Sequence, residues 1–382
     1  MQFSSRRLSI GFGLAAILVG GAIAGPVQAE PQYQVHGYLS QGYAISSDYP
    51  VLGIPTAGTT DWRRAALQIR MVPNDQDQLV VQMRERRLGT SPVTPLGDES
   101  IALDWAFAQH TFGQYALRAG RMPIPRGIYN QIRDVGIINP FYRAPYNFYT
   151  ESFETVEGLQ ASGRANLANG FGGELTLFSG ETFYQDFHPA NANQLLTFRA
   201  QHVSGGQLWI TTPIQGVRVG ANHIYFSSDG TKVDLSQYSA DASLEHFMAR
   251  GEYRNVGTPV YRGPGWYAQA GVQLHPMVWV YGMYEKTSAQ LQVPGLPSPP
   301  FPPGIGPFWT PKWDVSKDLA GSIVVKPNSA LALKLEAHHN EGTNFPAVTQ
   351  PFPIQPPGYP VFVPADDPLK TTYVIASVSI AY

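Results

Sequence analysis

The chain of 382 residues has no cysteine. No disulfide can hold it together, wherever it resides. Charge is also scarce: Asp, Glu, Lys and Arg make up 14% of the residues, where about a quarter is usual for a soluble domain. Past residue 30 no apolar run is long enough for a membrane-spanning helix, which needs roughly eighteen residues or more. The motifs of several enzyme classes are missing as well. There is no Walker-type phosphate loop, no dinucleotide fingerprint and no Gly-x-Ser-x-Gly, and the nine histidines are scattered. In place of these the chain has 38 glycines, 33 prolines and 12% aromatic residues. A surface that faces lipid tails, with loops at its ends, accounts for that combination.

The two ends are the most distinctive segments. Arg6 and Arg7 precede an apolar, Gly- and Ala-rich stretch from Ile10 to Gly25, and Val27-Gln28-Ala29 follows. This is the pattern of a secretory signal peptide, residues 1–29, with cleavage before Glu30. Without Arg6 and Arg7 the 26 basic residues fall to 24 against 28 acidic ones, a net of −4 for residues 30–382. The other end reads Thr372-Tyr-Val-Ile-Ala-Ser-Val-Ser-Ile-Ala-Tyr382. Counting back in twos from Tyr382 gives Ile380, Val378, Ala376 and Val374. The other parity is more polar on balance. Side chains alternate across a strand, so one face suits lipid and the other a wet lumen.

Between the ends, short alternating segments are joined by turn signals, with little helical periodicity. Strands are expected near 33–43, 63–72, 79–87, 101–108, 115–121, 157–166, 172–181, 195–212, 217–227, 238–247, 249–255, 266–274, 278–285, 316–326, 330–340 and 371–382. On the first, Tyr33, Val35, Leu39 and Tyr43 share a face. On the fourth, Ile101, Leu103, Trp105 and Phe107 do. Short turns such as Pro73 to Asp77, Gly113-Gln114, His275-Pro276 and Pro327-Asn328 alternate with longer loops. About sixteen strands, closed into a transmembrane antiparallel β-barrel of residues 30–382, satisfy every backbone group without water and leave room for an aqueous lumen.

This arrangement resembles the Gram-negative outer-membrane porin family, in which sixteen strands carry a long loop after the fifth that folds inward as a constriction. Residues 122–156 occupy that place, and Gly120-Arg-Met-Pro-Ile-Pro-Arg-Gly-Ile-Tyr-Asn130 with Arg133-Asp134 is similar to the start of that loop in porin-like proteins. The resemblance implies a passive channel for small hydrophilic solutes, homotrimeric, set in outer-membrane lipid and lipopolysaccharide as a multi-pass barrel. It also implies that Tyr382, Ile380 and Val378 serve as the assembly signal. No cofactor, metal or nucleic acid is implied.

Parity places Arg64, Arg70, Arg84, Arg86 and Arg118 on the lumen side, with Asp104 as the acidic exception. An arginine facing lipid at the bilayer midplane costs roughly 2–4 kcal/mol. Arg164, Arg199, Arg218, Arg250, Arg254 and Lys334 are inward candidates by the same parity, and Glu174, Asp241, Glu245, Glu252 and Glu336 partly balance them. The loop carries Arg126, Arg133 and Arg143, and also Asp134, Glu151 and Glu154. A basic wall of Arg84, Arg86 and Arg118 opposite an acidic lip of Asp134, Glu151 and Glu154 would set a transverse field across a narrow aqueous gap. The plainer alternative is that these carboxylates pin the loop to neighbouring arginines. The run from Pro140 to Tyr149 is rich in rings that either line a solute track or wedge the loop in place.

Two Pro-rich stretches, 286–312 and 341–370, read as stiff outer loops rather than ligands for adaptor domains. Three functional classes remain in play. The first is the passive porin, the second a substrate-selective channel for anions or carboxylates, and the third a non-conducting structural barrel. Catalysis is not expected, because no nucleophile and base share one face and depth. His338 and His339 point to opposite faces of one strand.

Overall fold

The computed structural model describes residues 31–89, 101–149, 153–188, 191–228, 230–293, 308–309, 312–342 and 369–382. The signal peptide expected at 1–29, most of both Pro-rich stretches and Glu151 lie outside the described residues. Seventeen strands form one sheet. One of them, Phe308–Trp309, pairs only with a neighbour's end, so sixteen make the wall. In chain order the wall strands are β1 Gln32–Ser46, β2 Thr59–Val72, β3 Asp77–Leu88, β4 Ala102–Phe112, β5 Tyr115–Pro123, β6 Thr155–Asn166, β7 Gly172–His188 and β8 Asn191–Thr211. The second half comprises β9 Val217–Ser228, β10 Thr231–Ser243, β11 Phe247–Gly257, β12 Tyr261–His275, β13 Val278–Val293, β14 Trp313–Asn328, β15 Leu331–Gly342 and β16 Lys370–Ala381.

Each wall strand pairs antiparallel with the next, and β1 pairs with β16, from Tyr38 opposite Ala381 to Ser46 opposite Tyr373. The barrel is therefore closed and presents no free edge. At the end where β1 starts, every connection has five residues or fewer. The opposite end is mixed, since only two or three residues separate β7 from β8, β9 from β10 and β11 from β12 there.

Alternation decides what faces lipid. Tyr33, Val35, Leu39 and Tyr43 of β1, Leu67 and Ile69 of β2, and Leu117, Leu159 and Leu177 of β5 to β7 are exposed on the outside. So are Val378 and Ile380 of β16. A soluble protein would bury such residues, whereas a bilayer solvates them. The expected faces of the first and last strands are present.

Parity fails where the ladder breaks. A bulge shifts the β3–β4 register between Gln82 and Met83, and one extra residue turns the strand over. Leu103 stays outside, while Phe107 turns inward and packs beneath Arg118, whose guanidinium carbon is 5.2 Å from the ring centre. The expected common face of Leu103 and Phe107 is thus corrected. Arg199 is a second correction. Bulges at Gly180/Thr182 and Gln201/Ser204 reset β8, and Arg199 faces out, paired with Glu181. Glu245 lies in the turn between β10 and β11, exposed rather than in the lumen.

The inside is not uniformly polar. Four apolar clusters lie within the barrel, and each joins wall residues to residues between β5 and β6. Tyr142 packs with Trp62 and Ile375 in one; Ile124 and Phe153 with Phe178, Ile224 and Phe226 in another. Phe141 meets Met283 and Val324, and Phe148 and Tyr149 meet Tyr267.

Candidate functional site

The residues between β5 and β6 make their polar contacts with the inner wall. On one side two adjacent strands supply guanidiniums: Arg64 from β2, Arg84 and Arg86 from β3. These residues alternate with outward ones, so they share the lumen face. Arg86 reaches Asp134 Oδ2 and Glu154 Oε1, both at 2.8 Å. Arg84 pairs with Glu154, with Asp134 at 3.4 Å and with Asp104 of β4 at 3.3 Å. Arg64 approaches Asp134 at 3.5 Å and donates to the Arg133 carbonyl at 3.1 Å. Arg133 comes from the inner segment itself and holds Glu154 at 2.7 Å.

All of these groups are buried. Burial alone would push the Asp134 carboxyl up, but Arg86, Arg64 and Arg84 outweigh it and hold it at about 2. Burial acts the same way on Glu154, where Arg133, Arg84 and Arg86 keep the carboxyl well below its usual range. The basic and acidic sets touch directly, with no aqueous gap between them. Four guanidiniums meet three carboxylates, counting Asp104.

The other expected residues sit elsewhere. Arg118 bonds to Gln109 and Gln160, and Arg70 to Gln34, both toward the short-turn end and away from the cluster. Arg126 donates to the Phe148 carbonyl at 2.8 Å and lies 5.3 Å from the Tyr149 ring centre. It is buried, and burial lowers its guanidinium to about 9. Tyr382 closes the β1–β16 seam on the outside, next to Ile380 and Val378 in their outward row.

Across the lumen the wall uses a different device. Three carboxylates on alternate strands accept backbone N–H groups of the inner segment. Glu252 of β11 takes Ile128 at 3.1 Å, Glu285 of β13 takes Asn147 at 3.1 Å, and Glu336 of β15 takes Tyr142 at 2.8 Å. Cations take carbonyls: Arg254 those of Asn147 and Phe148, and Lys334 that of Phe141. Ser322 of β14 donates to the Pro140 carbonyl at 2.9 Å. Parity alone places Glu252, Glu336, Arg254 and Lys334 inward without marking them as a seat. Glu285 is not among the residues expected inside, because an amide hydrogen leaves no mark in the residue pattern.

Beside Glu336, His338 contacts Asp318 at 3.0 Å and stacks on Tyr373, 4.4 Å between ring centres. Among the described residues no group of three or more potential metal ligands comes together.

A closed sixteen-stranded antiparallel barrel with an apolar outer belt and charged groups inside is the fold of multi-pass outer-membrane β-barrels, of porin architecture. Neither a protein-family model nor a curated protein sequence matches the chain. Solved structures do, over nearly its whole length. The chain is similar to OmpF of Salmonella typhi in complex with daunomycin, at 11% identity, covering 92% of this chain and 97% of that one with a TM-score of 0.56. It is also similar to the trimer form of OmpT, an outer-membrane protein of Vibrio cholerae, at 10% identity, 92% and 99% coverage and a TM-score of 0.52. A third is an anion-selective porin from Comamonas acidovorans, at 10% identity, 92% and 100% coverage and a TM-score of 0.50. At such identities the likeness is one of fold.

Proposed function

We propose that the protein is a channel for small hydrophilic solutes in the outer membrane of a Gram-negative bacterium. In this reading residues 1–29 export it, and Tyr382, Ile380 and Val378 mark the strand that the assembly machinery engages. Three copies associate in the bilayer, against lipid and lipopolysaccharide. Residues 122–156 form the constriction. Solutes move down their own gradient, and neither a cofactor nor catalysis has a part.

The observation that carries the reading is the charge on the lumen face at Arg64, Arg84 and Arg86. A barrel serving only as a strut would gain more from an apolar core, because buried charges lose most of their Coulombic gain to desolvation. Ionised groups at one depth are what a passage for polar solutes requires. We assign selectivity to Arg64, Arg84, Arg86 and Arg133 acting against Asp134 and Glu154. Glu151 belongs with them by its place in the segment.

The second reading, preference for anions or carboxylates, has its own support. Arg70 and Arg118 bond to neutral glutamines and so leave positive charge on the approach from the short-turn end. Reversal potential across a KCl gradient in a planar bilayer separates the two. Chloride preference favours the second reading, and a potential near zero favours the general channel. A barrel with verified fold that never conducts, even with the inner segment removed, would be a structural protein.

A further inference from the structure

We infer that the segment between β5 and β6 is a plug: seated as it is here, it closes the lumen, and solute passes only when it leaves that seat. This rests on the channel reading above and replaces a merely narrowed pore with a closed one.

A water-filled channel leaves inward side chains wet along the wall that faces the gap. Here each of the sixteen wall strands turns at least one buried side chain inward. Examples from around the circumference are Arg86 on β3, Gln160 on β6, Gln237 on β10, Glu285 on β13 and Glu336 on β15. Every strand of the described wall thus has an inward side chain shielded from water.

The attachments run round the barrel as well. The segment is held by ion pairs at β2 and β3, and by hydrogen bonds to β8, where Gln207 donates to the Gly127 carbonyl at 3.2 Å. Further bonds reach from β11 round to β15. Between these sides the apolar cluster of Ile124 and Phe153 with Phe178, Ile224 and Phe226 closes the sector from β7 to β9. Gly136 fills the remaining side: a Cβ added to it would lie 2.2 Å from Ser40 Oγ and 2.4 Å from Ser379 Oγ. A hydrated solute would have to break contacts on whichever side it passed.

The seat is also of a kind that can be left. On the β2–β3 side its links join charged groups that water solvates well, so opening there exchanges buried ion pairs for hydrated ones. That exchange is far less one-sided than exposing an apolar core of the same size. Among the described residues the segment meets Arg64, Arg84 and Arg86 through two carboxylates, Asp134 and Glu154, besides the Arg133 carbonyl that Arg64 holds. Neutralising those two therefore loosens that whole side.

The test uses the refolded mature protein in planar bilayers, with barrel integrity verified by heat-modifiable migration on gels. Three forms are compared: wild type, Asp134→Asn with Glu154→Gln, and a form with residues 127–148 replaced by a Gly/Ser linker. Closure by the plug requires long closed periods in wild type, at least a tenfold rise in open probability in the double variant, and steady conductance in the shortened form. Wild-type protein that conducts as steadily as the shortened form would overturn the plug and leave the channel standing. An unchanged open probability in the double variant would also overturn it, and this arm holds if the shortened form does not fold. A correctly folded shortened barrel that stays silent would remove the channel reading itself.

Discussion

The ring of Tyr382 lies over Gly37 across the seam that closes the barrel. A Cβ added to Gly37 would sit 2.1 Å from Cε1 of that ring, too close for any real contact. The two backbones exchange hydrogen bonds, Gly37 N–H to the Tyr382 carbonyl at 3.2 Å and Tyr382 N–H to the Gly37 carbonyl at 3.0 Å. The missing side chain on β1 is thus the berth of the last residue of the chain.

Gly37→Ala should therefore displace the ring and loosen the seam, with a loss of about 1–3 kcal/mol, the range for overpacking. Thermal unfolding of detergent-solubilised barrel measures it. In a double-mutant cycle with Tyr382→Ala the Gly37→Ala penalty should largely vanish, since contacting residues couple. Equal penalties with and without Tyr382 would place the ring elsewhere.

Arg86 pins the inner segment with both carboxylates in its reach, Asp134 and Glu154 each at 2.8 Å. Arg86→Ala leaves Asp134 and Glu154 buried and short of positive charge. Breaking one side of a buried ion pair costs about 3–5 kcal/mol. Arg118→Ala removes bonds to two glutamines and a contact with the Phe107 ring but strands no buried charge, at about 1 kcal/mol for an ordinary hydrogen bond. Urea unfolding and protease cutting within 127–148 should rank the two in that order.

Acid should release the segment late. Free carboxyls titrate near 3.9 for Asp and 4.3 for Glu, roughly, whereas Asp134 is held at about 2 and Glu154 is also depressed. A depressed carboxyl adds stability that is complete above its unfolded value and disappears as pH falls through its folded one. Protease resistance of residues 127–148 should accordingly be flat from neutral pH to about pH 5, then fall steadily toward about pH 2. A midpoint near 6 would point to a histidine instead.

Much of the barrel could be read from alternation alone. Each expected strand has a counterpart, and the lumen side of Arg64, Arg84 and Arg86 follows from counting in twos. That method works only along an unbroken ladder. It fails at Phe107 and Arg199, on strands where bulges add a residue and reverse the parity. The bulges have no reliable signature in a single chain. The seat around Glu252, Glu285 and Glu336 was harder still. Each carboxylate is satisfied by a main-chain N–H of the inner segment, which any residue but proline supplies. Glu285 lay at the expected end of its strand, and nothing in its neighbours set it apart.

The three wall carboxylates that hold the inner segment reach it across 124, 138 and 194 residues of chain. Residues 127–149 therefore emerge during synthesis long before their partners exist. Phe148 and Tyr149 travel uncovered until β12 brings Tyr267, and the cluster around Phe141 is complete only with β15, so a chain truncated ahead of β12 would shelter none of the three. Docking of the segment thus reports that the wall is nearly complete. It gives the assembling barrel an internal signal by which finished molecules differ from unfinished ones, and it marks the unfinished ones as sticky cargo for periplasmic holding factors and proteases.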